Sequence, residues 1–186
     1  YNATFEIPTE PIRVDPGGDG DARFGVRSTG RLAGTWTLDV DSTSLPNGWT
    51  WEDETPGGIS SIEIGVGQVW TPSLSIIAPS EALGSDAGFL SLTLTRDGGE
   101  EEIYANIPVE ANRTRGLSIR GPDGTAQSTG FGLVSEDARA WLLIENVGNA
   151  EESQIAISWD GTEWGSDLRI FDSSGYEISA LTLGPG

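Results

Sequence analysis

Leu90-Ser-Leu-Thr-Leu-Thr-Arg-Asp-Gly-Gly-Glu-Glu-Glu-Ile-Tyr-Ala-Asn-Ile-Pro-Val109 decides the fold class. Leu90, Leu92 and Leu94 alternate with Ser91 and Thr93. Beyond Asp97-Gly98-Gly99, Ile103, Ala105, Ile107 and Val109 alternate with Tyr104, Asn106 and Pro108. A repeat of two puts every apolar residue on one face of an extended chain, which is the signature of a half-buried strand. The Asp-Gly-Gly run between the two halves supplies turn residues, so the stretch reads as a β-hairpin.

The same pattern extends outward. Trp36, Leu38 and Val40 alternate with Thr37 and Asp39. Asp15-Pro-Gly-Gly18, Leu45-Pro-Asn-Gly48 and Pro56-Gly-Gly58 punctuate the chain with turns. Twenty-six Gly and ten Pro in 186 residues suit many short strands better than helices. No amphipathic helix of useful length is legible, and Glu81 to Ala87 reads as a strand-connecting loop. The expected class is all-β.

The chain also repeats itself. Phe24-Gly-Val26-Arg-Ser-Thr-Gly30 parallels Leu142-Leu-Ile144-Glu-Asn-Val-Gly148, with Gly148 lying 118 positions after Gly30. Ile62-Glu-Ile64-Gly-Val-Gly67 parallels Leu181-Thr-Leu183-Gly-Pro-Gly186, 119 positions on. Trp36, Leu38 and Val40 fall on Ile155, Ile157 and Trp159 at that second offset. One residue inserted near Asn149 to Glu152 reconciles the offsets. Glu110 to Arg115 is polar and does not alternate. The expected organisation is therefore an immunoglobulin-like β-sandwich over residues 1–110, a linker at 111–115, and a second sandwich over 116–186. Because Gly186 aligns with Gly67, counterparts of the first module's last strands are expected to come from outside this sequence. They would come from a continuation of the polypeptide or from a neighbouring subunit. Asn2 to Ile7 equally fits a donor strand and the first strand of its own module.

These turns carry a resemblance. Val147-Gly-Asn-Ala-Glu-Glu152, Leu181-Thr-Leu-Gly-Pro-Gly186 and Leu45-Pro-Asn-Gly-Trp49 resemble the tandem immunoglobulin-like surface repeats of the cell-adhesion-related and alpha-galactosidase-associated families of bacteria and archaea. Ser28-Thr-Gly-Arg31 departs from the Asn-x-Gly-Asn form of that turn. The resemblance implies stalks, surface layers and accessory modules at an extracellular or cell-surface location. Its motifs are turn chemistry, specific for fold and poor for function.

Composition excludes most catalytic chemistry. His and Cys are absent and all ten cations are Arg, so Ser-His-Asp and Cys-His constellations, Schiff-base lysines and thiolate metal sites have no residues to build them. A carboxylate pair is the one remaining style, and no carboxylate stands in an apolar sequence context. No enzyme is expected, and no catalytic residue is assigned. The net charge of −19 repels nucleic acid and anionic membranes. It suits a saline habitat or a GC-rich genome. No run approaches the ~20 apolar residues of a membrane span. Met is absent, so Tyr1 is not an initiator and residues upstream are expected to have been removed or left out.

Candidate binding residues are few. Asp15, Asp19 and Asp21 offer oxygen ligands for Ca²⁺ in a tight loop, against the plainer reading of a solvated turn. Asn2-Ala-Thr4 and Asn112-Arg-Thr114 are N-glycosylation sequons, which makes glycans candidate attachments. Trp49 and Trp51 share one strand face, read as inward. Trp141 and Leu143 should point outward if Ala140, Leu142 and Ile144 point in, which makes them interface candidates. Ile155, Ile157 and Leu183 join them as the face left open in the second module. The leading functional expectation is a non-catalytic structural module of a microbial surface protein, a stalk, surface-layer or filament subunit, in contact with other copies or neighbouring domains. The alternatives are a carbohydrate-binding or accessory module of a secreted hydrolase, and a protein-binding adhesin.

Overall fold

A computed structural model describes residues 2–99, 101–121, 142–157 and 169–186. The described residues are all-β, without a helix. The chain divides into two compact units, Tyr1–Arg113 and Thr114–Gly186.

Unit one is a two-layer sandwich. One layer is a five-stranded sheet in the order β2-β11-β10-β5-β7. Its strands are β2 (Ile12–Val14), β5 (Gly34–Asp41), β7 (Ile62–Ile64), β10 (Ala87–Arg96) and β11 (Glu102–Ala111). The opposite layer holds β1 (Ala3–Glu6), β4 (Gly25–Ser28) and β8 (Val69–Trp70) in one sheet, and β3 (Asp19–Arg23), β9 (Ser73–Ile77) and β6 (Thr50–Asp53) in another. β3 and β4 are separated only by Phe24. β8 and β9 are separated by Thr71 and Pro72, where a proline without an N–H interrupts the ladder. The first edge changes layers: β1 pairs antiparallel with β4, and β2 runs parallel to β11.

The hairpin read from the sequence is present, with Leu94 opposite Ile103 and Leu90 opposite Ile107. Its turn closes through the Gly99 N–H donating to the Arg96 carbonyl, with Gly98 at φ 103°, a conformation only glycine adopts without strain. Alternation puts Leu90, Leu92 and Leu94 in the core beside Trp36, Leu38, Ile107 and Val109. Ala22, Phe24, Val26, Leu74 and Ile76 meet them from the other layer. Trp49 is buried, and Trp51 on β6 packs against the same core. Strand β11 continues through Ala111, which is buried, and the Asn112 N–H donates to the Val14 carbonyl. The segment expected as linker therefore begins inside unit one's ladder.

Unit two contains β12 (Leu117–Arg120) paired with β13 (Leu143–Asn146), and β14 (Glu152–Ala156) paired with β15 (Ala180–Leu183). An isolated bridge joins Phe171 and Glu177. Two pairings of unit one recur here in the same register. Ala3 faces Ser28 and Glu6 faces Gly25; Leu117 faces Asn146 and Arg120 faces Leu143. Gly34 faces Ile64 and Trp36 faces Ile62; Glu152 faces Leu183 and Ile155 faces Leu181. Only the second β14–β15 register is broken, by an irregularity between Glu152 and Ile155 with Gln154 at φ 55°. One extra residue in a bulge lengthens the chain by one position and puts that residue in an unusual conformation. The irregularity falls just beyond Asn149 to Glu152, the stretch in which the sequence reading expected one inserted residue.

Candidate functional site

Asn146, at the end of β13, makes four side-chain hydrogen bonds within unit two. It is buried, as is Ser28 at the matching position of unit one. Its Nδ2 donates to the carbonyls of Ala150 (2.7 Å), Gly184 (2.8 Å) and Leu183 (3.3 Å), and its Oδ1 accepts from the Gly148 N–H at 2.9 Å. One amide thus closes its own turn and pins the end of β15. Asn149 completes the turn from the other side: its Oδ1 accepts from the Thr114 N–H (2.7 Å) and Oγ1 (3.0 Å). Gly148 is required here by space, since a Cβ would stand 2.5 Å from the Thr114 carbonyl oxygen. The sequence singled out Val147 to Glu152 as turn chemistry. It did not reveal that Asn146 joins two backbone segments, the 148–150 turn and residues 183–184, because the carbonyls at 183 and 184 are remote in the chain.

The β12–β13 pair also carries an ion pair whose signs are exchanged between the units. Arg27 contacts Glu6 across β1–β4 in unit one, and Arg120 lies 3.6 Å from Glu145 across β12–β13. The Glu6 hydrogen bond and charge hold the Arg27 guanidinium above its ordinary pKa. Glu110 does the same for Arg13 at the β2–β11 edge.

The sequence candidates distribute as follows. Asp15 Oδ1 accepts from Asn112 Nδ2 at 2.8 Å, and Asp21 pairs with Arg23 at 2.7 Å, while Asp19 lies on β3 opposite Ile77. Asp15 and Asp21 are thus engaged by protein donors, and among the described residues no group of three or more carboxylates is arranged to hold a metal ion. Asn2 is exposed, and its carbonyl accepts the N–H groups of Thr29 and Gly30. Asn112 is half-buried with its amide on Asp15, so the two sequons differ in access. Trp141 and Trp159 lie outside the described residues. Leu143 is exposed on β13; Ile155, Ile157 and Leu183 are half-buried. Leu142, expected to face inward like Phe24, is exposed instead. The strands that cover Phe24 in unit one have no counterpart over Leu142 among the described residues.

Four exposed aromatics stand out: Phe89 and Tyr104 in unit one, Phe171 and Tyr176 in unit two. Phe89 faces Pro108 and Tyr104 faces Thr93, so the first two share the outer side of the five-stranded sheet. The Tyr104 hydroxyl donates to Glu102, which holds the phenol above its ordinary pKa.

No family model matches the chain, and no curated protein matches it. Solved structures with a loose likeness include the PapD-like domain 7 of human CEP192, at 10% identity and TM-score 0.42, covering 59% of this chain and 83% of that one. A family 123 glycoside hydrolase from Clostridium perfringens matches at 14% identity and TM-score 0.43 over 63% of this chain, which spans only 29% of the hydrolase. BcpA, the major pilin subunit of Bacillus cereus, matches at 6% identity and TM-score 0.39 over 100% of this chain and 67% of the pilin. None of these likenesses carries what those proteins do over to this chain.

Proposed function

We propose that the chain is a non-catalytic structural module of a microbial cell-surface assembly, a stalk, surface layer or filament, built from two copies of one immunoglobulin-like sandwich. The observation that carries this reading is the recurrence of both strand registers, Ala3–Ser28 as Leu117–Asn146 and Trp36–Ile62 as Ile155–Leu181. Serial copies of one small sandwich extend a polypeptide away from a surface without needing a reactive centre. A chain with no His, Cys or Lys, and with Trp36, Leu38, Leu90, Leu92, Leu94 and Ile107 of unit one buried in its core, fits that role. The net charge of −19 favours a hydrated extracellular surface. The sequons at Asn2 and Asn112 are compatible with glycans at the start of unit one and at its last strand.

The test is location. Antibody raised against residues 1–186 should label intact, unpermeabilised cells of the source organism. Labelling confined to permeabilised cells would overturn the reading.

A second reading rests on Phe89 and Tyr104. Two aromatics on one outer sheet face, with Ser91, Thr93 and Asn106 between them, form a surface on which sugar rings stack in carbohydrate-binding modules. Retention on an immobilised polysaccharide, lost in Tyr104→Ala, would favour it.

A further inference from the structure

Asn2-Ala-Thr4 and Asn112-Arg-Thr114 are equal as sequons and unequal as structure. The motif requires an asparagine amide and, two residues on, a hydroxyl, and a transferase must reach both in one approach. Asn2 and Thr4 offer both. Ala3 is 2% exposed and packs inward, and side chains alternate along an extended chain, so Asn2 and Thr4 stand together on the outer side of β1. Both are exposed. The backbone beneath them is fixed: the Asn2 carbonyl accepts the N–H groups of Thr29 (2.9 Å) and Gly30 (3.0 Å), and Thr4 faces Arg27. The triplet is presented without any strand having to leave its ladder.

The second sequon is tied down at both ends, each end within its own unit. In unit one Asn112 is half-buried; its Nδ2 donates to Asp15 Oδ1 at 2.8 Å, and its backbone N–H donates to the Val14 carbonyl at 2.8 Å. In unit two the Thr114 hydroxyl donates to Asn149 Oδ1 (3.0 Å) and accepts from the Asn149 N–H (3.3 Å). The Thr114 N–H donates to the same Oδ1 at 2.7 Å. Presenting Asn112 and Thr114 to one enzyme site therefore requires breaking bonds in both units at once.

We propose that in the folded chain Asn2 is an acceptor for N-linked glycan and Asn112 is not. The proposal rests on the cell-surface reading above and adds which site is modified. In the transfer, Asn2 Nδ2 attacks the anomeric carbon of an oligosaccharide carried on a lipid pyrophosphate. The new C–N bond forms as the C–O bond to phosphate breaks. The electron pair of that bond leaves with the lipid pyrophosphate, and one amide proton passes to a base of the transferase. The glycan then projects from the layer of β1 and β4, opposite the sheet that carries Phe89 and Tyr104. It adds a bulky, hydrated cover to that side of unit one.

Membranes of the source organism supply transferase and lipid-linked oligosaccharide together, and the folded chain 1–186 is the acceptor. Arginine-specific digestion puts the two sequons in separate peptides, 1–13 and 97–113, for mass spectrometry. The expected result is glycan on 1–13 at about tenfold or more the occupancy of 97–113, because several hydrogen bonds must open before Asn112 is reached. Thr4→Ala removes a hydroxyl from an exposed position, keeps the fold and should abolish the product on 1–13. A synthetic peptide of residues 108–118, free of the folded units, should be modified at Asn112. Four outcomes overturn the proposal: an unmodified Asn2, comparable occupancy of Asn112 in the folded chain, a product on 1–13 that survives Thr4→Ala, or refusal of the free peptide. Location is checked separately by antibody labelling. Labelled intact cells with a bare Asn2 leave the surface reading standing and remove this one; glycan on Asn2 with labelling only in permeabilised cells does the reverse.

Discussion

Asn146 Nδ2 lies 2.8 Å from the carbonyl oxygen of Gly184, so the turn after β13 and the end of β15 are held by one side chain. The same amide serves Ala150 and Gly148. Asn146→Ala removes all of these bonds at once from a buried position. Leaving buried backbone groups unpaired costs about 1–3 kcal/mol for each group that water cannot reach, so a loss of about 2–4 kcal/mol in unit two is expected. Urea unfolding followed by residue-resolved amide exchange should show unit two weakened and unit one unchanged. A loss below about 0.5 kcal/mol would mean that water replaces the amide.

Gly148 makes a second, purely steric prediction. Its φ is not in the left-handed region, so alanine is conformationally allowed. The added methyl nevertheless meets the Thr114 carbonyl oxygen at 2.5 Å and the Arg115 Cα at 3.1 Å. Gly148→Ala should destabilise unit two by about 1–3 kcal/mol, because both obstacles are backbone and cannot step aside cheaply. Thermal melts of the variant would show it.

Matched positions in the two units should respond unequally. Trp36 is fully buried and its counterpart Ile155 is half-buried. Trp36→Ala should cost about 3–5 kcal/mol through the cavity it leaves, and Ile155→Ala about 1–2 kcal/mol. Equal costs in denaturant melts would mean that Ile155 is covered in solution.

Tyr104 should titrate above an ordinary tyrosine. The hydrogen bond to Glu102 and its negative charge both favour the neutral phenol. The folded pKa is raised, so this small contribution is present below the ordinary tyrosine range and is lost as pH rises through the raised value. Glu102→Gln should bring the Tyr104 transition back down in an NMR titration. An unchanged midpoint in that variant would show that Glu102 is not the cause.

Salt should stabilise the chain. Raising NaCl from about 0.1 M to about 1 M shortens the screening length from ~10 Å to ~3 Å and weakens repulsion among the surplus carboxylates. The melting temperature should rise. A fall would mean that ion pairs such as Arg27–Glu6 outweigh the repulsion of the −19 charge.

Much of this molecule was legible without coordinates. Alternation at Leu90–Leu94 and Ile103–Val109 determined two strands, and Asp97-Gly-Gly determined the turn between them, because periodicity and positive φ are local properties. The repeat offsets aligned Ser28 with Asn146 and Ile64 with Leu183, and these residues hold matching places in the strand pairings of the two units. The composition removed histidine, cysteine and lysine chemistry outright. Tertiary structure alone decided the rest. It divided the segment after Gly18 into β3 and β4 in different sheets and sent β6 and β7 to opposite layers. It gave Asp15 an amide donor from Asn112 and Asp21 an ion pair with Arg23. It also exposed Leu142 although Phe24, its sequence counterpart, is buried. The physical reason is the same each time. A side chain's burial depends on which distant strands cover it, and a hydrogen bond such as Asn146 to Gly184 joins residues 38 positions apart, where no local pattern reaches.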